Sequence, residues 1–319
     1  MSGVELDVVI PTRDRPAQLN SCLTALGRQS FDRFGVIVVD DGGLQEAERL
    51  VPEAMRRNLS IRFVRNDVSI GPGASRNHGV EMSDAPSLVF LDDDCTAGGE
   101  LIARHRAVLA VGHPVVSLGP ILSPPGRRLR AWTHWDADRL QRKYERIWTG
   151  EVKPGWTHLY TGNVGIRRTD FLAVGGFDLR FARQEDIELG YRLHRLGCRF
   201  EFDPAAIVWH DSDRSLRTWI GIPSASARFD VLMDRLDPDS GRLAAMQDGL
   251  RDRHRVLRLT RRLVSGSMTG RCTVAAAIGA GLALHALRFD SVALAAFSVA
   301  WDLRYVDALQ AATCPETAP

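Results

Sequence analysis

Short apolar runs that each stop dead in a polar cluster constrain this chain more than any other feature. LDVVI, from Leu6 to Ile10, runs into PTRDRP; FGVIVVDDGG ends in Asp40, Asp41 and two glycines; SLVFLDDD ends in Asp92, Asp93 and Asp94. Such runs, bounded by turn formers, read as buried strands. Between them the pattern turns helical. Leu19, Cys22, Leu23 and Leu26 follow the first run, LQEAERLVPEAMRR follows the second, and after a further strand, IRFVRN, comes GPGASRNHGVEMS, a glycine-rich turn into a helix. Strands alternating with helices predict right-handed βαβ units around a Rossmann-like, mostly parallel sheet flanked by helices. Ligands of such sheets bind at the carboxyl ends of the strands. The polar clusters fall there: Thr12 and Arg13, then Asp40 and Asp41, then Asp92 to Asp94.

Beyond Gly99 the alternation loosens, and SPPGRRLRAWTHWDADRLQRKYERIW reads as a variable lid or acceptor-facing region. LYTGNVGIRRTDFLAVGGFD reads as a strand and a short helix ended by Gly175 and Gly176. QEDIELGYRLHRLG is a helix with Leu189, Leu193 and Leu196 on one face, and RFEFDPAAIVWH is a strand pair. From Asp211 the chain reads as mainly helical, with a basic stretch, RDRHRVLRLTRRL. The apolar segments CTVAAAIGAGLALHAL and SVALAAFSVAW fall short of the ~20 residues of a spanning helix, and His285, Arg288 and Asp290 interrupt their join. An ordinary helical packing region is the first expectation. Peripheral membrane contact through the basic helix and its apolar neighbour is the second.

A net charge of +2 over 319 residues argues against a dedicated nucleic-acid binder. The five cysteines, Cys22, Cys95, Cys198, Cys272 and Cys314, contain no C-x-x-C pair, so neither a disulfide framework nor a cysteine zinc site is expected. The start, MSGVELDVVIPT, enters a strand without an export signal. Reduced cytoplasm is the expected setting, with the inner membrane face as a peripheral alternative.

Packing gives no reason to align Asp92, Asp93 and Asp94, because like charges repel and none feeds a core. Such oxygens suit a divalent metal carrying a diphosphate, or a ribose hydroxyl. A solvated acidic turn is the plain alternative. In GPGASRNHG, Arg76 and Asn77 can contact phosphate or base, or can simply cap and solvate the turn. The loop matches neither the phosphate loop nor the dinucleotide fingerprint. Glu185 and Asp186 open a helix, where carboxylates complement the dipole or where one can serve as general base. His210, ending a strand, reads as a buried hydrogen-bonding residue or as a metal ligand. Trp132, Trp135, Trp148 and Trp156 read first as packing and second as a stacking surface for a sugar or aromatic acceptor.

In order, VVIPTRDR, VVDDGG, GPGASRNHG, LVFLDDD, GNVGIRR with GGFD, QEDIELGYRLHRLG and VWH resemble the family 2 glycosyltransferases of GT-A fold, from Val4 to His210. The resemblance implies an α/β GT-A domain with a nucleotide-sugar-binding half over 1–110, an acceptor-binding half carrying the base over 111–210, and a helical extension over 211–319. It places Thr12, Asp41, Asp92 and Asp93 at the donor, with Asp41 on the nucleobase; Arg13, after the first strand, and Arg76 and Asn77, in the glycine-rich turn, are expected beside them. Asp94, Asp92 and His210 would hold Mn²⁺ or Mg²⁺, and Asp186 would be the base. The implied reaction is inverting transfer of a sugar from a nucleoside-diphosphate sugar, UDP first, to a hydroxyl of a glycan, lipid-linked glycan or secondary metabolite. Other classes stay open. A sugar-nucleotide nucleotidyltransferase would share the sheet and carboxylates, but Lys is absent before residue 143 and no glycine-rich activating loop follows the first strand. A noncatalytic nucleotide-sugar or glycan-binding module would have no use for Asp186. Donor sugar, acceptor and oligomeric state are not readable.

Overall fold

A computed structural model describes residues 3–212, 214–251 and 268–313. The chain divides into two compact units, Met1–Arg127 with Leu140–Ser212, and Arg128–Arg139 with Asp213–Pro319.

The first unit runs β1 (Leu6–Thr12), α1 (Pro16–Leu26), β2 (Phe34–Asp40), α2 (Ala47–Leu50), α3 (Glu53–Asn58), β3 (Ile61–Arg65), α4 (Pro72–Glu81), β4 (Ser87–Leu91), β5 (Cys95–Ala97), α5 (Leu101–Leu109), β6 (Val115–Leu118) and β7 (Ile121–Leu122). After α6 (Ala131–Trp148), whose first half belongs to the second unit, come β8 (Asn163–Arg167), α7 (Arg168–Ala173), α8 (Glu185–Arg195), β9 (Arg199–Phe202) and β10 (Val208–His210). A seven-stranded sheet has the order β3-β2-β1-β4-β8-β6-β9. Strands β3, β2, β1 and β4 are parallel, β8 is antiparallel to both its neighbours, and β6 and β9 are parallel. The mostly parallel α/β sheet is thus found as expected, and the carboxyl ends of β1, β2 and β4 share one edge.

Both faces of this sheet are covered. Leu19, Leu23, Leu101 and Ile102 pack with Leu6, Val8 and Ile10 on one side; Val80, Phe171, Leu189 and Leu193 pack with Val9, Ile37 and Phe90 on the other. Each such side chain contributes about 1.5–3 kcal/mol on leaving water, which explains why these strands read as unbroken apolar runs. α4 lies unusually close to the sheet. A Cβ on Gly79 would come within 2.5 Å of Val9 Cγ1, so only glycine lets the helix settle at this depth.

Several local expectations need correction. LQEAERLVPEAMRR forms two short helices, α2 and α3, because Pro52 disfavours helical backbone at Val51, which is extended at ψ 124°. The strands of RFEFDPAAIVWH do not pair with each other: β9 joins β6 in the large sheet, while β10 lies between β5 and β7 in a three-stranded sheet. Leu196 is exposed at the end of α8, whereas Leu189 and Leu193 are buried. The stretch expected to be loose contains the 18-residue α6.

A buried polar network ties α5, β6 and β8 together. His105 is fully buried, Ser117 Oγ lies 2.8 Å from its Nδ1, and its Nε2 donates to Asn163 Oδ1 at 2.8 Å. The Asn163 amide nitrogen donates to the carbonyls of Pro120 (3.0 Å) and Ala206 (2.7 Å). Burial holds the His105 pKa down at about 4, so the ring stays neutral. We expect Asn163→Ala to cost about 3 kcal/mol, since it leaves several buried groups unpaired at once. Urea unfolding measures this; a loss under about 1 kcal/mol would show the network to be dispensable.

The second unit contains the start of α6 with α9 (Leu216–Leu236), α10 (Arg242–Arg251), α11 (Met268–Ala286) and α12 (Asp290–Thr313). Its core stacks Trp135, Trp219, Phe297 and Trp301 edge-on or tilted, with ring centroids 4.8–5.6 Å apart. Trp135 is therefore packing, as read first from the sequence. Most of the basic stretch RDRHRVLRLTRRL, 252–263, lies outside the described residues. Among the described residues no helix is long and apolar enough to cross a membrane.

Candidate active site

Strand β4 delivers its carboxylates to the shared edge, and each meets a different partner. Thr12 Oγ1, at the end of β1, donates to Asp93 Oδ2 at 2.7 Å. Arg15 pairs with Asp94 at 2.9 Å and with Asp93 at 3.3 Å. Arg76, on the first turns of α4 and nearly buried, pairs with Asp92 at 2.6 Å and with Glu185 at 3.2 Å. The small sheet brings in His210: its register sets His210 opposite Cys95 and places Nε2 3.3 Å from Asp94 Oδ1.

The second strand's carboxylates hold the neighbouring loops. Asp40 accepts from the backbone of Gly43 and Ala47 and pairs with Arg65. Asp41 accepts from Asn66, Ser69 and the backbone N–H groups of Ile70 and Gly71. Burial alone would raise Asp41, but these donors outweigh it and hold its pKa at about 2. The turn that follows Asp41 needs glycine, because Gly42 sits at φ +66° with Ser69 N only 2.7 Å from where a Cβ would be. Asp41 is thus a permanent anion fixing the loop that starts α4.

Electrostatics differentiate the remaining acids. Burial raises Asp93 to about 6, only partly offset by Thr12 and Arg15. Burial pushes the same way at Asp94, but the bonds to His210 and Arg15 prevail and leave it lowered. Asp186 opens α8 behind Gln184, which takes a left-handed φ of 60°. Its Oδ1 accepts from Ile187 N, yet desolvation and then the adjacent Glu185 charge raise its pKa to about 7. That value suits a group that exchanges a proton near neutrality. The bridging Arg76 links this helix start to Asp92, so the β4 carboxylates and the raised acid belong to one charge cluster.

The donor chemistry fits a hard divalent cation. Asp92, Asp94 and Cys95 each offer an atom within 4.8 Å of the others, and Gly162 keeps the space open, since a Cβ there would crowd Asp92 Oδ2 at 3.2 Å. Burial pushes the Cys95 thiol well up, so the two carboxylates are the hard donors of this group, with His210 Nε2 3.3 Å from Asp94 Oδ1.

The structure places some expected residues differently. Arg13 is exposed beside Asp14, and Arg15 takes the position at the carboxylates. Asn77 uses both ends of its amide on the backbone of Phe177, accepting from its N–H at 2.8 Å and donating to its carbonyl at 2.9 Å. It anchors the turn that leads toward α8 instead of facing the carboxylates. Sequence reasoning missed Arg15, although the R-D-R spacing after β1 carried the signal, and gave no part to Glu185 as the counter-charge of Arg76. Of the tryptophans, Trp156 packs on Tyr191, Trp132 donates to the Arg214 carbonyl, and Trp148 is exposed.

Comparison with known proteins agrees with this geometry. The family model "Glycosyl transferase family 2" matches residues 7–175. Validoxylamine A glucosyltransferase of Streptomyces hygroscopicus subsp. jinggangensis is 32% identical over 219 residues, covering 60% of this chain and 52% of that protein. Pre-mycofactocin glycosyltransferase of Mycobacterium tuberculosis is 31% identical over 224 residues, covering 68% and 44%. The chain spans about half the length of these relatives. Among solved structures, the mannosyltransferase PcManGT from Pyrobaculum calidifontis, in complex with GDP-Man and Mn²⁺, superposes with TM-score 0.65 at 15% identity over 96% of this chain and 87% of that one. S. aureus TarS 1-349 in complex with UDP-GlcNAc gives 0.54 at 17% identity over 72% and 65%. These structural likenesses establish the fold, which is the GT-A fold with a helical C-terminal region.

Proposed function

The chain belongs to Glycosyl transferase family 2, and from that premise we propose that it transfers a sugar from a nucleoside-diphosphate sugar to an acceptor hydroxyl, with inversion at the anomeric carbon. The observation that carries the reading is the bridge of Arg76 between Asp92 and Glu185, which joins the carboxylates at the end of β4 to Asp186. A donor nucleotide lies along the carboxyl ends of β1, β2 and β4, with its base toward Asp41 and its ribose and diphosphate toward Thr12, Asp92 and Asp93. UDP is the first candidate. Residues 1–110 form the donor half and 111–210 the acceptor half.

Asp94, Asp92 and His210 would hold Mn²⁺ or Mg²⁺, which when bound supplies positive charge against the departing diphosphate. The chain's own residues do the rest. Arg15 and Arg76 fix the carboxylates and lower the mutual repulsion of three adjacent acids. Asp186, poised near neutrality, takes the proton from the acceptor hydroxyl as that oxygen attacks. Gly79 and the Asn77 clamp on Phe177 position the helix and turn that support this cluster.

Incubating the chain with UDP-, dTDP- and GDP-sugars and Mn²⁺ tests the proposal through slow donor hydrolysis. Release of nucleoside diphosphate from one donor class, suppressed by chelator, is expected. Formation of nucleoside triphosphate and sugar 1-phosphate when pyrophosphate is added to the donor would favour a nucleotidyltransferase, and tight donor binding with no bond cleavage, even with acceptor extracts, would favour a noncatalytic module.

A further inference from the structure

We propose that His134, His285 and Asp290 form a second metal site, for a transition metal of zinc type, within the C-terminal unit. The three residues come from separate helical segments. His134 lies on α6, His285 in the last turn of α11, and Asp290 at the start of α12, with the chain reversing between the latter two through Arg288 at φ 64°. A ring nitrogen from each histidine and an Asp290 oxygen all lie within 4.8 Å of one another. Nδ1 of His285 is 2.7 Å from Asp290 Oδ1, Nδ1 of His134 is 3.9 Å from the same oxygen, and the ring centroids are 5.7 Å apart. Ligands about 2.0–2.1 Å from a tetrahedral ion stand roughly 3.3 Å from each other. The first contact must therefore open, and the second close, by about half an ångström, which side-chain torsions supply.

An independent observation concerns the far side of His285. Its Nε2 donates to the Leu129 carbonyl at 3.1 Å. A metal-binding imidazole is oriented in this way, with the outer N–H on a carbonyl and the inner nitrogen turned to the ion. The inner Nδ1 faces Asp290 Oδ1, and an ion bound there replaces the proton shared between them, which leaves to solvent. The neighbouring cation, Arg128, donates to the His285 backbone carbonyl and not to a ligand atom. Two imidazoles and one carboxylate select Zn²⁺, Co²⁺ or Ni²⁺ over Mg²⁺. The oxygen-rich set at Asp92 and Asp94 has the opposite preference. His134 and Asp290 are part-exposed, 32% and 46% by side chain, so the ion has an entry path and a position for water. Bound there, it ties α6, α11 and α12 of this unit together.

The test titrates chelator-stripped full chain with Co²⁺, following visible absorption, bound ions per chain and thermal midpoint. His134→Gln and Asp290→Asn are each expected to bind one ion fewer than wild type at saturation of the wild-type sites, with about a 100-fold loss of affinity and no Co²⁺-dependent rise in midpoint. Asp94→Ala retains that ion. Both test residues are part-exposed, and circular dichroism of the two variants without Co²⁺ confirms that they fold. If either variant binds as many ions as wild type with unchanged affinity, or if Asp94→Ala binds no Co²⁺, the proposal is overturned and the trio is an ion pair beside a second imidazole.

Discussion

Asp186→Asn is expected to lower sugar transfer by about 10²–10⁴-fold while making the protein more stable above neutral pH. The two effects share a cause. Asparagine keeps the shape of the side chain and can still accept from Ile187 N, but cannot take a proton from an attacking hydroxyl. Donor binding should change by less than about threefold, because the proposed role is on the acceptor hydroxyl and its loss is felt mainly in the transition state. The stability effect follows from the raised pKa. The unfolded carboxyl ionises near 3.8, whereas the folded one holds its proton up to about 7. Between those values the native state binds more protons than the unfolded state, so stability falls as pH rises through the window and the full cost is present above about pH 7. At one unit per 1.36 kcal/mol, and discounted for partial exposure and for the lost helix-dipole partner, the variant gains about 2 kcal/mol at pH 8 and nothing at pH 4. Thermal melts at the two pH values and initial rates decide the matter. The wild-type rate should also fall about tenfold per pH unit below 7. A variant that keeps normal transfer, or is less stable at pH 8, removes Asp186 from this role.

Asp94→Ala is expected to act on the other half of the reaction. Asp94 holds Arg15 and His210, which keep its carboxyl below the usual carboxylate range, so its loss removes a proposed ligand and releases two neighbours. Affinity for nucleoside diphosphate in the presence of Mn²⁺ should fall about 10–100-fold, and the difference between Mn²⁺ and chelator should disappear. Calorimetry measures both. Unchanged, Mn²⁺-dependent binding would place the cation elsewhere.

Much of the sheet and of its polar edge was legible because a strand buried on both faces needs an unbroken apolar run, and the run ends where the polar cluster begins. Val8 to Ile10, Val36 to Val39 and Leu88 to Leu91 supply both. Strand direction was less accessible. Nothing in NVGIR marks β8 as antiparallel, since its residues are as buried as those of a parallel strand. Choices between adjacent residues also escaped the reading. Asp14 takes a left-handed φ of 54° and accepts from Leu44 N, and it is Arg15, beyond this kink, that meets the carboxylates while Arg13 stays exposed. Arg76 and Asn77 are neighbours on a helix, so they face directions about 100° apart and only one can meet Asp92. α6 was hidden by Pro124, Pro125 and Gly126 just before it and by its many charges, although Ala131 and Trp135 are buried one turn apart. His105 and Asn163 gave no local signal, being 58 positions apart and polar. Only the folded sheet brings them together.

A crystal structure of the full chain with uridine diphosphate and Mn²⁺ would test whether the acids at the end of β4 form the donor site of a glycosyltransferase. The ion is expected on Asp94, with Asp92 or His210 beside it, the base near Asp41, and the terminal phosphate facing the side where Asp186 lies. A nucleotide bound away from the carboxyl ends of β1, β2 and β4, or an ion that avoids Asp92 and Asp94, would contradict it.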